Sequence, residues 1–485
     1  MLFRQYFDPK LAQYAYLVGC QASQEALIID PLRDIDQYVE AAEAAGLRIV
    51  AVAETHIHAD FLSGAREFAE RYGTKLYLSD EGESEGWASK WAKDSTYDAT
   101  FLRDGDTFRI GNIEVKAVHT PGHTPEHVSY VVVDHGSGAT TPIGIATGDF
   151  VFVGDLGRPD LLEQAAGMHG VQEDSARTLY RSLPRFQELQ DYVQVWPAHG
   201  AGSTCGKALG AVPTTTVGYE KLYNASLSAA DAGEEAFVDA ILAGQPEPQM
   251  YFARMKRDNR DGVPVLGQLP RPQKLTAVEF GMKVDDERTL IVDARLDRSA
   301  FMAKHVPGAL YAPMNNSFNT VVGSLVTDET TPIVLVIEEG SLEEAVRDLV
   351  RIGYDNVTGY ITPAGLERYF NQGGAIDKID EISFEKLDDF RSDPSVAVVD
   401  VRFASEYSEG HVPGAVNASY TRLPAYLESR IPEGKKLAVY CASGGRSAAA
   451  SAFLARHGFE VTFINGALAD YGVLEREAKA EPVAV

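Results

Sequence analysis

Six residues in the first half of the chain have the side chains and spacing of a metal site. THIHADF (Thr55 to Phe61) puts His56, His58 and Asp60 on one short loop after a strand. PGHTP (Pro121 to Pro125) adds His123, TGD (Thr147 to Asp149) adds Asp149, and PAHG (Pro197 to Gly200) adds His199. Residues two apart at an extended strand end point the same way, so their imidazoles and carboxylates can converge on one cation. The second half carries a single thiol in a different setting. In YCASGGRSAAASAFLARHGF, Cys441 follows the apolar strand KLAVY and precedes an Ala-rich helix. A loop there delivers backbone N–H groups and a helix N-terminus to one point, which stabilises an anionic sulfur or oxyanion. Ala442, Ser443, Gly444, Gly445 and Ser447 form that loop, and Arg446 adds positive charge.

The elements that must hold these residues follow from the pattern around them. YAYLVGCQ and EALIID alternate with period two and predict a hairpin. Ile35, Val39, Ala42 and Leu47 fall near helical spacing with Gly46 as the stop, and RIVAVAET then runs as a buried strand ending at His56. This alternation persists to about residue 240, after which Pro, Gly and polar residues concentrate from Gly244 to Pro272 and predict a linker. Beyond it the chain repeats itself. VDAR with HVPGA (Val292 to Arg295, His305 to Ala309) recurs as VDVR with HVPGA (Val399 to Arg402, His411 to Ala415). Each copy continues through a strand, a loop and an amphipathic helix to RIGY or RHGF, and Gly373 and Gly374 mark the joint. The expected organisation is therefore residues 1–245, a linker over 246–274, and two related α/β domains over 275–374 and 375–485.

Composition bounds the partners. The 485 residues carry 44 Lys plus Arg against 70 Asp plus Glu, a net charge of −26, which repels phosphate backbones and anionic headgroups. Nucleic acid and membrane are disfavoured. The N-terminus has no apolar signal region and no stretch is apolar enough to span a bilayer, so a cytoplasmic protein is expected. Three widely separated cysteines build no disulfide framework.

Taken in order, the four metal motifs resemble the metallo-β-lactamase superfamily over roughly residues 1 to 240, which implies an αββα sandwich. Its dinuclear hydrolases read HxHxDH, and here the last position is Phe61. That replacement removes one imidazole from the second site and leaves Asp60 and His199 as its unshared donors, so a single ion is expected. The resemblance to the persulfide dioxygenases of the superfamily implies one ferrous ion on His56, His123 and Asp149. Two imidazoles and a carboxylate leave positions open for a substrate sulfur and O₂. His58, Asp60 and His199 are then expected to orient ligands or water. In VFVGDLGRPD, the GRPD stretch resembles one in that family whose arginine faces the thiol substrate, which makes Arg158 a substrate-binding candidate. Cys205, six residues after His199, is a candidate to receive a persulfide sulfur.

The Cys441 loop resembles that of the rhodaneses, sulfurtransferases that carry sulfur as a cysteine persulfide, from about residue 380 onward. Cys441 and Arg446 form a C-x4-R loop, whereas phosphatase loops read C-x5-R, so the pocket is sized for sulfur. Asp400, Arg402 and Glu406 match the rhodanese pattern and are expected to form an ion-pair network. The first copy reads LVIEEGSLEEAVRDLV at the same place, with no cysteine and with Glu338 and Glu339 where an anion cradle needs positive charge. It is expected to be a degenerate rhodanese-like domain.

The order of parts resembles the bacterial persulfide dioxygenase and sulfurtransferase fusions of sulfide detoxification. The implied activity is oxidation of a low-molecular-weight thiol persulfide by O₂ to sulfite, with Cys441 and Arg446 catalysing sulfur transfer that gives thiosulfate. Association into a homo-oligomer is expected from superfamily habit. The alternatives are a zinc thioester hydrolase of the glyoxalase II kind fused to a sulfurtransferase, and a sulfur carrier without oxygenase activity.

Overall fold

Strand β1 (Leu2–Asp8) pairs antiparallel with β2 (Gln13–Cys20), and β2 with β3 (Glu25–Ile29), placing Tyr16 opposite Ile29. The predicted hairpin is β2–β3. In this computed structural model, which describes residues 1–161 and 170–476, the chain then turns parallel. β4 (Arg48–Ala53), β5 (Lys75–Ser79) and β6 (Ala99–Leu102) extend the sheet in sequence order. The predicted helix is Asp36–Ala44, and Gly46 ends it with φ +70. A second six-stranded sheet holds β7 (Thr107–Ile110), β8 (Ile113–His119), β9 (Val128–Asp134), β10 (Gly144–Gly148), β11 (Gln194–Pro197) and β12 (Thr215–Thr216), each beside its sequence neighbour.

The two sheets share one core. Tyr16, Val18, Leu27 and Ile29 of the first meet Ile113, Val115, Tyr130, Val132 and Trp196 of the second. Alternation along β9 sends Val131 to the other face, where Leu179, Leu183 and Phe186 of the helix Gln172–Gln187 cover it. With both faces covered, the central strands read as apolar runs. Helices Asp36–Ala44 and Ala65–Tyr72 pack against β4 of the first sheet. This is the αββα sandwich.

The segment predicted as a linker is not a bare connector. It holds the helix Phe252–Asp261, with Phe252, Met255, Lys256 and Asn259 buried, and it belongs to a compact unit comprising Met1–Leu269 and Val350–Gly353. Asn259 explains why: its Nδ2 donates to the carbonyls of His58 (2.9 Å) and Phe61 (2.7 Å), and its Oδ1 accepts from Ser63 N (2.9 Å). Polar, Pro-flanked composition concealed a helix whose task is to hold the His56–Ser63 loop.

The second unit comprises Pro270–Leu349 and Tyr354–Val485 and contains two five-stranded sheets. The first has β13 (Gln273–Lys274), β14 (Leu290–Asp293), β15 (Leu310–Tyr311), β16 (Ile333–Val336) and β17 (Val357–Ile361), in the order β13-β17-β16-β14-β15. The second has β18 (Asp380–Ser383), β19 (Val396–Asp400), β20 (Val416–Asn417), β21 (Lys436–Tyr440) and β22 (Val461–Asn465), in the order β18-β22-β21-β19-β20. The strand orders are the same and all pairs are parallel, so the sequence repeat is a structural repeat. Among the described residues no helix is long and apolar enough to cross a membrane.

Candidate metal centre and cysteine loop

The metal-ligand candidates arrive from strand ends. β4 leads into Thr55 to Asp60, the loop between β8 and β9 delivers His123, Asp149 directly follows β10, and β11 ends before His199. Gly148 makes the turn after β10 at φ +53, a left-handed conformation in which a Cβ would lie 2.6 Å from both His127 Nε2 and Thr55 Oγ1. Asp149 N then donates to His127 Nε2 (3.1 Å), which fixes the carboxylate's direction.

His56, His123 and Asp149 bring one donor atom each within 4.8 Å of one another, all buried. His123 Nε2 lies 3.5 Å and His56 Nε2 3.9 Å from Asp149 Oδ2. The far ring nitrogens decide the tautomers. His123 Nδ1 donates to the Arg158 carbonyl (3.0 Å). His56 Nδ1 donates to Thr55 Oγ1 (3.0 Å), whose own proton goes to Asp30 (2.8 Å). His199 Nδ1 donates to the Ala12 carbonyl (3.2 Å). Each Nε2 is thereby left with a free lone pair turned inward. Burial, and then neighbouring imidazoles for His56 and Lys256 for His123, hold those two rings well below the usual imidazole range and keep them neutral. Burial pushes Asp149 up to about 6. His123 Nε2, His199 Nε2 and both Asp149 oxygens find no hydrogen-bond partner. A buried carboxylate and imidazoles aimed at one point without partners are costly, and a cation at that point satisfies them. The donor set fits a metal ion.

Asp60, His199 and Cys205 form a second group on the other side of Asp149, with donors within 4.8 Å. His199 Nε2 is 3.5 Å from Asp60 Oδ2 and 3.4 Å from Asp149 Oδ1. Burial and the carboxylates of Asp149 and Asp60 push the Cys205 thiol well up, so it stands as a neutral thiol, a weak ligand and a poor nucleophile. The structure sets Cys205 beside His199 and Asp60. His58 points elsewhere: its Nε2 is held by Glu54 (3.0 Å) and Asp30 (3.3 Å), and the ring packs between those of His56 and Phe61. Phe61, which stands in the sequence where the dinuclear pattern has a histidine, is wholly buried.

Arg158 departs from its expectation. It is wholly buried, forks onto Asp160 at 2.8 and 2.6 Å, and donates to the Thr204 carbonyl at 2.9 Å. Its donors serve the loop that carries Cys205, and its backbone carbonyl, not its charge, reaches the metal centre. The guanidinium is a structural ion pair rather than a substrate grip.

Three groups escaped sequence reading. Glu126 accepts from Ile57 N (2.8 Å), and burial raises its carboxyl to about 7. His127 positions Asp149; both residues directly follow PGHTP, which was the available signal. Lys256 is buried with no hydrogen-bond partner for its Nζ, sits 5.2 Å from the Trp87 ring centroid, and is pushed down to about 8 by burial. With Trp87, Arg257 and Arg260 it lines a cavity of about 350 Å³. Nothing local in the sequence marks it.

In the second unit, Cys441 lies directly after β21 and is buried; Gly444 N donates to its Sγ at 3.1 Å and Ser447 Oγ at 3.4 Å. Gly444 caps the helix Gly445–Arg456 at φ +91. These are the expected donors to an anionic sulfur. Arg446 faces Glu406, with Nη2 2.7 Å from the carboxylate, so its charge is matched within the loop. Asp400 and Arg402 form the expected pair, closed by Tyr440 Oη on Asp400 (2.7 Å).

The metallo-beta-lactamase superfamily profile matches residues 8–199, and the rhodanese-like domain profile matches residues 383–472. A metallo-beta-lactamase from Staphylococcus aureus subsp. aureus COL, known by crystal structure, is 37% identical with a TM-score of 0.66; the match covers 75% of this chain and 99% of that one. The mitochondrial persulfide dioxygenase ETHE1 of Bos taurus is 29% identical over 202 residues, 41% of this chain and 68% of that protein. A hydroxyacylglutathione hydrolase of Gloeobacter violaceus is 31% identical over 189 residues, 38% of this chain and 63% of that protein. The last two relatives carry different chemistries on one fold, so the reaction has to be argued from the site.

Proposed function

Because this chain belongs to the metallo-β-lactamase superfamily and carries a rhodanese-like domain, we propose that it is a persulfide dioxygenase and sulfurtransferase. The observation that carries the reading is the donor set. His56, His123 and Asp149 converge, with His123 Nε2 and both Asp149 oxygens unpartnered, while Phe61 and the turned His58 withhold the imidazoles a two-ion hydrolase would use. Two His and one carboxylate suit ferrous iron, one per chain, which when bound would supply open positions for a substrate sulfur and O₂ together.

The chain's own residues set the conditions. Thr55 and the Arg158 carbonyl keep the imidazole protons on Nδ1, so His56 and His123 present Nε2. Asp149 would bind as the carboxylate, and Phe61 packs on the His58 ring beside this loop. Asp60 and His199 border the same carboxylate and would orient the water the reaction consumes. The balance is one thiol persulfide, one O₂ and one water giving thiol, sulfite and two protons. At Cys441, the thiolate takes the outer sulfur of a persulfide as the donor S–S bond breaks and the donor thiol leaves. The sulfur of sulfite then attacks the bound outer sulfur, thiosulfate departs, and the thiolate is restored. Gly444 N and Ser447 Oγ stabilise the anionic sulfur in each step.

One observation favours the rival thioester hydrolase: Asp60, His199 and Cys205 form a second donor group sharing Asp149. The deciding measurement is O₂ uptake by ferrous-loaded protein on adding glutathione persulfide, with metal counted per chain and His56→Ala as control. Uptake with one iron per chain, lost in the control, is the expected result. Two zinc ions per chain with thioester hydrolysis would establish the rival. No uptake with either glutathione or coenzyme A persulfide would leave a sulfur carrier.

A further inference from the structure

We infer that Arg298, contributed by the cysteine-less copy, completes the Cys441 site by binding the oxyanion end of sulfite or thiosulfate; this rests on the sulfurtransferase reading above. Arg298 opens the helix Arg298–Ala303, and the structure sets its guanidinium against the cysteine loop of the other copy. A Cβ built on Gly444 would lie 2.8 Å from Arg298 Cζ and 3.0 Å from its Nη2. The amide N of that same glycine is 3.1 Å from Cys441 Sγ. Standard backbone dimensions then put the guanidinium carbon no more than about 8.5 Å from the sulfur. A persulfide adds about 2 Å to Sγ, and the remaining gap is that of one small oxyanion.

The charge inventory assigns the role. Arg446, the loop's own cation, faces Glu406. The carboxylate of Glu381, beside this corner, is taken by Asn465 Nδ2 (2.7 Å) and Ser299 Oγ (3.1 Å). Arg298 is half-buried and forms no hydrogen bond or ion pair among the described residues. Both sulfite and thiosulfate are dianions with oxygens at a spacing that suits a guanidinium fork. A cysteine-less copy that supplies this cation has a reason to be present without chemistry of its own.

The test is thiosulfate binding to full-length Cys441→Ser protein, which cannot turn over, by calorimetry, with and without Arg298→Ala. Arg298→Ala is expected to weaken binding about tenfold, the scale of one lost charged hydrogen bond. Arg298→Lys should recover part of it and Arg298→Glu should abolish it. In protein that keeps Cys441, Arg298→Ala should raise KM for thiosulfate about tenfold with kcat little changed, and leave the melting temperature unaltered. Equal binding with and without Arg298, or no thiosulfate binding to Cys441→Ser at all, overturns the inference. If binding depends on Arg298 but the chain transfers no sulfur, the enzymatic reading fails and the anion site stands. If sulfur is transferred while binding ignores Arg298, the inference alone fails.

Discussion

In the first copy, Asp293 at the end of β14 forks onto Arg295 (2.7 Å), which also donates to the Lys304 carbonyl (3.1 Å). In the second, Asp400 at the end of β19 forks onto Arg402 (2.6 Å), which donates to the Gly410 carbonyl (2.7 Å). His305 Nδ1 donates to Phe301 O and His411 Nδ1 to Tyr407 O, both at 2.8 Å, and each ring stacks on its aromatic partner. Backbone bonds repeat as well: Ala294 N to Val336 O matches Val401 N to Tyr440 O. That register aligns Ile337 with Cys441. Past that point the loops diverge, one running into Glu338 and Glu339, the other into Ser443, Gly444 and Gly445. The copy without a thiol keeps the Asp–Arg pair and the histidine, so these residues hold the fold. What the first copy lacks is the loop with its N–H cradle and the Glu406–Arg446 pair.

That comparison can be broken in graded ways. The largest effect is expected from Cys441→Ser, which should abolish thiosulfate formation in a sulfurtransferase assay; adding Ile337→Cys to it should restore nothing, because a thiol followed by two glutamates has no anion cradle. Next are the scaffold pairs. Arg402→Ala and Arg295→Ala each remove the cation from a buried aspartate and should cost about 3 to 5 kcal/mol of stability in denaturant unfolding, with the smaller loss in the second copy, where Tyr440 Oη still bonds Asp400. A loss confined to the second copy would show that its pair does more than hold the fold. Glu406→Gln should have a smaller consequence: it frees the Arg446 charge and should lower KM for thiosulfate about threefold with stability little changed.

The smallest effect is one of pH. Burial holds His305 below the usual imidazole range, so the folded chain takes up that proton less readily than the unfolded chain. Its contribution to stability is intact above about pH 6.5 and is lost as the pH falls below that value. Thermal unfolding followed from pH 7.5 to 5 should show this fall, and His305→Gln should flatten it.

The metal centre divides along a similar line. Lys256 costs stability: with its ammonium pushed down to about 8 by burial, the folded chain carries a penalty that is full below pH 8 and disappears as the pH approaches the unfolded value near 10.5. Lys256→Met should therefore raise the melting temperature at pH 7, by a margin that shrinks between pH 8 and 10.5. A stabilising substitution at a site beside the metal donors is the signature of a residue kept for something other than folding.

Much of this was legible in order and type of residue. His56, His123 and Asp149 announce themselves because strand ends in α/β sheets point their loops to one edge, so motifs far apart in sequence meet. The repeat was visible because VDxR and HVPGA encode contacts within one copy. Cys441, its glycines and the helix behind it are contiguous, and local geometry suffices for them. Other features depend on long-range packing. GRPD could equally grip a substrate or close an ion pair, and only the burial of Arg158 on Asp160 decided. A polar, Pro-flanked stretch reads as a linker by composition, yet its Asn259 holds the carbonyls of His58 and Phe61. Sequence by itself determined where the donor motifs and the cysteine loop lie, because donor type and local backbone conformation are written residue by residue. Tertiary structure alone decided which polar side chains are spent on neighbours, as Arg158 is, and which, like Arg298 and Lys256, are left without a hydrogen-bond partner among the described residues, because hydrogen-bond satisfaction and desolvation depend on atoms tens to hundreds of residues away.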